Sequence, residues 1–406
     1  MLTICGLSMV VEPAFAQTWT LSGAPATHDW WCVASSADGS KLVAGGSLFS
    51  EGRLHFLIYT STNSGATWTS NNISTILAPW TSAASSADGT KLAVAGGVGA
   101  QYGVIFTSTD AGATWVSTSA TNETWISVAS SADGNKLIAA AGASDYVGLG
   151  VSSAICLSTN GGVTWTQSSA PSNYWVSVAS SADGTKLVAA TWADNTLGNP
   201  GSVYISTNSG DTWMQTSAPS NYWKSVASSA DGSQLVAAGL GPIYISTDSG
   251  ATWISNNAPF LPWETIASSA DGRILVAGRN TGQIYSSTNS GETWTTNNAP
   301  IGVWTSFVSS ADGNKLVGVA IDAPGYANGV YTSQSTPSPQ LNLASSGGNL
   351  TASWVVPSTN FVMQQSADLI SWTDVTNPPA LNLTSLQDEV VLSPTNGSGF
   401  YRLKTP

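Results

Sequence analysis

The sequence predicts an all-β protein: a seven-bladed β-propeller whose ring is closed by its own N-terminal strand, followed by a small C-terminal β-sandwich. Two repeats, and a mismatch in their number, carry that reading. The segment Ser-Ser-Ala-Asp-Gly occurs seven times, with its aspartate at Asp38, Asp88, Asp133, Asp183, Asp231, Asp271 and Asp312. The segment STNSGATW at 61–68 returns, slightly altered, at 108, 158, 206, 246 and 287, which makes six copies. Successive aspartates lie 40 to 50 residues apart, the period of propeller blades rather than of helical solenoids.

Each unit has the same order. A Trp opens a short alternating run such as VSVAS (176–180), and the SADG turn follows. A run such as KLVAA (186–190), a variable loop and a run such as VYIS (203–206) come next. The eight-residue segment then leads into a last strand that opens with Thr-Trp. Four short strands joined by Asp-Gly, Ser-Gly or Gly-Gly turns make one blade. No stretch of helical period competes. The seventh unit stops after its third strand, Gly329-Val330-Tyr331-Thr332-Ser333, whereas Gln17-Thr18-Trp19-Thr20 matches the opening of a fourth strand. The N-terminal segment is therefore expected to complete the last blade and remove its exposed edge.

The chain divides into a leader at 1–16, the propeller at 17–335, a Pro/Ser linker at 336–340 (TPSPQ) and the sandwich at 341–406. In the leader an apolar run precedes Ala14-Phe15-Ala16, the small-x-small pattern of signal-peptidase cleavage, although the basic segment that normally opens a signal is missing. Export to the bacterial exterior or cell surface is the expectation, with Gln17 as the mature start. No other apolar run approaches the roughly 20 residues of a membrane helix. With 8 % charged residues and a net charge of −12, the chain lacks the basic face that nucleic acid or an anionic membrane needs. Cys32 and Cys156 remain after leader removal and are expected to be buried free thiols.

The eight-residue segment resembles the Asp-box, or BNR, repeat of sialidase-like propellers, Ser-x-Asp-x-Gly-x-Thr-Trp. Asn replaces the aspartate at Asn63, Asn160, Asn208 and Asn289, and Asp stands at Asp110 and Asp248. The resemblance covers about residues 17–335. It implies that the box is a hairpin turn between third and fourth strands, on the face opposite the ligand. The residue chemistry suits such a turn: Asn or Asp bonds nearby backbone, Gly takes φ > 0, and Trp fills space between strands. The six copies are then scaffold rather than six sites.

If the first strand descends from the ligand-side face, the SADG turns, the boxes and the lysines after SADG share the opposite face. Most of the remaining charges, among them His28, Asp29, Glu51, Arg53, His55, Glu123, Asp145, Asp194, Lys224, Glu264, Arg279 and Asp322, fall in or beside the loops of one rim. Candidate ligand contacts on that rim are Trp31, Arg53, His55, Tyr174, Trp192, Tyr222, Lys224 and Arg279. Lys224 and Glu264 follow the Trp in successive blades, which predicts an ion pair. The seven Trp residues that head the first strands are either stacking platforms for sugar rings or a packing ring, and their identical recurrence favours packing.

The resemblance implies that a sialidase would carry three substrate-gripping arginines. The propeller has only Arg53, Arg273 and Arg279, and Arg273 follows an SADG turn on the wrong face. Photosystem-assembly propellers also resemble the repeat, but their arginine-rich binding face has no counterpart in these residues. The reading is thus a secreted or cell-surface binding propeller without a cofactor or metal, expected to be monomeric, with a glycan or other cell-surface polymer as partner. The alternative is a glycoside hydrolase using two of Asp29, Glu123, Glu264 and Asp322, which would have to stand roughly 5–9.5 Å apart. The C-terminal segment, with its short alternating runs and its Phe400-Tyr401-Arg402-Leu403 ending, resembles fibronectin-III-like modules of secreted Verrucomicrobia-type proteins. That resemblance implies attachment or spacing rather than chemistry.

Overall fold

The computed structural model describes residues 18–334 except 72, 74–78, 98–102, 121–122, 143–153, 193–199, 280, 322 and 327. Beyond them it describes 342–346, 349–355, 362–366, 371–376, 379–382, 387–392 and 400–404. The leader and the linker lie outside these residues. All named elements are strands.

Seven antiparallel four-stranded blades form the first body. Their first strands are Asp29–Ser35, Trp80–Ser85, Trp125–Ser130, Trp175–Ser180, Trp223–Ser228, Leu261–Ser268 and Val303–Ser309. Each first strand touches that of the next blade, and Val303–Ser309 touches Asp29–Ser35, so the ring closes. Blade 7 is made of Val303–Ser309, Lys315–Ile321, Gly329–Gln334 and the N-terminal strand Trp19–Leu21. The last pair is antiparallel, with Trp19 opposite Ser333 and Leu21 opposite Tyr331. Blades 5 and 6 are joined further where Leu240 and Gly241 pair with Pro262 and Leu261.

The core lies between blades rather than within them. In one seam Ala93, Ala95 and Ile105 of blade 2 pack on Trp125, Val128 and Leu137 of blade 3, and six more clusters fill the other seams. Alanines in the second strands let neighbouring sheets approach, and one large indole per blade fills what remains. Trp30, Trp80, Trp125, Trp175, Trp223, Trp263 and Trp304 are 0–1 % exposed. They are packing residues, and the stacking-platform alternative does not hold for them.

Because the inner strands of adjacent blades do not pair with one another as a ladder, the inner edges need other partners. At the SADG turns a ring of backbone bonds supplies them. Ala37 donates to Ala87, Ala87 to Ala132, and so on through Ala311, which donates back to Ala37, each at 2.7–2.8 Å. Farther along the strands a serine hydroxyl accepts a backbone N–H from the next blade, as Ser82 does from Val128 (3.0 Å) and Ser177 from Val226 (3.1 Å).

A third set of staples uses the second residue after the SADG segment. Lys41, Lys91, Lys136, Lys186 and Lys315 each donate to the carbonyl of the next blade's SADG aspartate, at 2.8–3.1 Å. In blade 5 Gln234 takes the position and donates to Gly272 (3.0 Å). In blade 6 the residue is Ile274, so the seam to blade 7 has no polar staple there. The five lysine-stapled aspartates have pKa values below the ordinary carboxylate value, with hydroxyl and amide bonds and the lysine outweighing burial. Asp312 sits across the unstapled seam, and burial pushes its carboxyl up to about 6. Ile274→Lys is expected to return Asp312 to the ordinary carboxylate range. It should also stabilise the protein by about 1 kcal/mol at neutral pH. An NMR titration of Asp312 and a thermal melt check this; an unmoved titration would refute the staple account.

The six boxes are hairpin turns built alike. In the first, Ser61 donates to Asn63 Oδ1 (3.0 Å), Asn63 Oδ1 accepts from Thr67 N (2.9 Å), and the Trp68 indole donates to Gly65 O (3.1 Å). Ser64 and Gly65 take φ of 55° and 85°. Ser64 N also donates to Ser40 O (2.8 Å), which ties the box to the SADG turn of its own blade. Boxes and SADG turns therefore share one face.

The C-terminal body has two small sheets. Ala352, Trp354, Val390 and Leu392 of one pack on Met363 of the other, which makes a sandwich. Thr373–Asp374 and Ala380–Asn382 are strands too short to be legible in the sequence.

Candidate loop-face site

The face opposite the boxes is built from the loops between second and third strands and those leading into each first strand. These loops pair across blades: Gly201 bridges Asn221, and Gly282 bridges Gly302. The described ends of this face are held by backbone hydrogen bonds, as where Trp192 N donates to Tyr174 O (2.7 Å).

Every first strand begins with the same irregularity. The register slips between the Trp and the residue two places on, so that one extra residue bulges in all seven blades. A bulge re-aims a side chain, and here it does so once per blade. The bulged residues are Trp31, Thr81, Ile126, Val176, Lys224, Glu264 and Thr305. They reach the neighbouring blade: Thr81 Oγ1 donates to Trp125 O (2.7 Å) and Thr305 Oγ1 to Trp30 O (2.9 Å).

Lys224 and Glu264 are the charged pair in that ring. Their atoms are 3.4 Å apart, with side chains 25 % and 33 % exposed. The expected ion pair therefore forms. Lys224 Nζ also stands 3.9 Å from the centre of the Trp192 ring, a cation–π contact that the sequence did not signal because Trp192 lies in a variable loop. Trp192, Lys224 and Glu264 thus form one cluster across blades 4, 5 and 6.

The other candidates are dispersed. Trp31 is half-buried and its indole donates to Ser47 Oγ (3.2 Å). Tyr174 is half-buried and Tyr222 exposed, one before each of two first-strand Trp residues. Arg279 ends the strand Leu275–Arg279 opposite Trp263. Arg53 and His55 lie beside the turn that joins the second and third strands of blade 1, in a hairpin longer than the repeat suggests. Leu42–Ser50 and Arg53–Ser61 form a continuous hairpin whose turn is Glu51 and Gly52, at φ of 54° and 78°. The alternation in LFSEGRLHF was the available signal, missed because Glu-Gly is a less familiar turn pair than Asn-Gly or Asp-Gly. The exposed Phe49 and Leu54 of this hairpin also escaped the sequence reading.

The described candidate carboxylates belong to different blades. Asp29 opens blade 1, Glu123 precedes Trp125 of blade 3, and Glu264 of blade 6 is engaged by Lys224. Asp322, Asp145 and Asp194 lie outside the described residues. Among the described residues no three His, Cys, Asp or Glu side chains converge as metal ligands. Cys32 and Cys156 are free and buried, and burial raises their thiols to about 12 and about 11.

His28 is a correction: it is buried against aromatic side chains of blade 1 and is not an exposed rim charge. It is 5 % exposed, stacks on Trp30 and accepts or donates through Nε2 to Tyr59 Oη (2.9 Å). Burial lowers its pKa below 6.5, with Asp29 opposing. The unfolded chain therefore takes up the proton first as pH falls. Stability on this account is lost from about pH 6.5 downward. Asp312 works in the opposite direction below about 6, because its burial penalty is relieved on protonation. Comparing denaturation of the wild type and His28→Gln isolates the histidine: the wild type is expected to lose stability relative to the variant between about pH 7 and pH 5. A constant difference would contradict the assignment.

Searches of protein families find no matching model, and no curated protein sequence matches the chain. Among solved structures, YCF48 bound to D1 peptide matches with a TM-score of 0.54 at 12 % identity, over 81 % of this chain and 100 % of that one. At that identity the likeness is one of fold, and it agrees with the closed ring of blades described above.

Proposed function

We propose that the chain is an exported binding propeller that holds a polypeptide segment on its loop face. The observation that carries the reading is the uneven exposure of large apolar side chains. Phe49, Tyr222, Leu240, Phe260, Ile301 and Tyr326 are 68, 41, 46, 76, 54 and 41 % exposed, and all six belong to loop-face segments. Among the described residues, the box turns expose one such side chain, Val163, and the outer fourth strands expose Leu21, Val116, Met214 and Ile254, singly and one to a blade. Apolar surface gathered on one face marks a contact surface, whereas scattered single residues do not. Aliphatic groups such as Leu240 and Ile301 bury well against a peptide and offer little to a sugar ring. The solved structure of YCF48 bound to D1 peptide supports a peptide as a partner that this fold accommodates.

A carbohydrate partner is the second reading, favoured by the rings of Tyr174, Trp192 and Tyr222 at the same mouth. The two separate on peptide and glycan arrays probed with wild type, Phe260→Ser/Ile301→Ser and Trp31→Ala. The peptide reading expects bound peptides, with affinity reduced about 10-fold or more in the double variant. Glycan binding alone, lost in Trp31→Ala, would replace peptide by carbohydrate. Binding that ignores every loop-face variant would remove the face itself. Export is tested by N-terminal sequencing of protein recovered outside the cells, which is expected to begin at Gln17.

A further inference from the structure

We propose that Arg279 is the carboxylate-receiving group of this face, so that the partner segment carries an Asp or Glu next to a large apolar residue. The inference rests on the loop-face reading and adds to it the chemistry of the partner.

The side chain of Arg279 is held in place. A β-carbon at Gly282 would stand 2.8 Å from Arg279 Nε and 2.7 Å from its Cδ, so the guanidinium lies against that glycine. Gly282 is fixed in turn by its paired bonds with Gly302 (3.0 and 3.2 Å) and by the Trp304 indole, which donates to its carbonyl (3.2 Å). Arg279 Nε is buried there with no hydrogen-bond partner. A buried donor on a cation that lacks an acceptor is costly, and a carboxylate satisfies a guanidinium through two parallel bonds.

The nearest carboxylate in the strand pairing is already engaged. Glu264 follows Trp263, the partner of Arg279 across the sheet, and it is paired with Lys224. Lys224 is held on its other side by Trp192. Among the described residues this stretch of the mouth thus has two cations, Lys224 and Arg279, against one anion, Glu264. Its surroundings are apolar. Ile301 precedes Gly302 directly, and Phe260 lies over Gly241 at the neighbouring seam. A hydrated acidic glycan would match the cation but not these exposed hydrocarbons, which is why a polypeptide is the better fit.

The test pans a random library of displayed peptides, about 12 residues long, on the full chain. It then measures selected peptides, and analogues with Asn or Gln in place of Asp or Glu, against wild type, Arg279→Gln, Arg279→Lys and Phe260→Ser. Enrichment of an acidic residue beside Leu, Ile or Phe is expected. Wild type should prefer the acidic peptide by about 10-fold. Arg279→Gln should bring the ratio of acidic to amide peptide affinity to about one without lowering the melting temperature, and Arg279→Lys should restore part of the preference. Selected peptides that weaken in Phe260→Ser but show no acid preference would overturn this proposal and leave the loop face standing. Failure to select any peptide, or binding of polygalacturonate through Arg279 in their place, would overturn it together with the polypeptide reading.

Discussion

Trp19→Ala is expected to lower the unfolding free energy by about 3–5 kcal/mol, with a matching drop in melting temperature. Trp19 is 6 % exposed and lies 6.2 Å from Trp304 and 5.9 Å from Phe307, ring centre to ring centre. It anchors a strand of only three residues, Trp19–Leu21, whose pairing with Gly329–Gln334 closes the ring. The indole therefore has two effects at once: it fills the seam between blades 6 and 7 and holds the closing strand in register. That seam also lacks a lysine staple, so little else compensates. The Trp19 indole nitrogen has no partner, because the box that supplies a glycine carbonyl in the other blades is missing from this one. Trp19→Phe should accordingly cost less than Trp19→Ala. Equal melting of wild type and Trp19→Ala would mean that the ring does not depend on its N-terminal strand.

Trp175→Ala is expected to cost a similar amount, about 3–5 kcal/mol, and to do so by opening a cavity rather than by removing a ligand contact. Trp175 is 0 % exposed and packs edge-on to Tyr204 at 5.3 Å. Its indole nitrogen makes no hydrogen bond. Trp175→Phe should then retain partner binding in full while losing some stability. A loss of binding without a loss of stability would restore the stacking role that burial argues against. Chemical denaturation and binding assays on the two variants separate these outcomes.

Much of the fold was legible because each blade repeats the same physical solution. The serine–alanine–aspartate–glycine turn appears seven times because seven inner strands must turn at the same radius. The box appears six times because the seventh blade borrows its last strand from the other end of the chain. The pairing of Lys224 with Glu264 was legible for the same reason, since equal positions in adjacent blades become neighbours. What stayed hidden depends on departures from the repeat. Trp192 meets Lys224 through a loop with no periodicity to place it. Arg53 and His55 continue strands that the repeat stops earlier, and the bulge that aims Trp31, Lys224 and Glu264 leaves no mark on residue type. His28 read as a rim charge because its burial comes from Trp30 and Tyr59, which the pairing of the strands of blade 1 brings around it.

The same logic explains why the boxes are poor guides to function. Their side chains bond their own turns, and the resulting surface is nearly uniform from blade to blade. The loop face carries the differences, and differences are what a partner can recognise. Hydrogen–deuterium exchange of the full chain, with and without a peptide selected on it, tests this most directly. The account predicts slowed exchange at 220–226, 258–266 and 299–305, with the box turns at 61–68, 206–213 and 246–253 unchanged. Slowed exchange at the box turns and none on the loop face would contradict it.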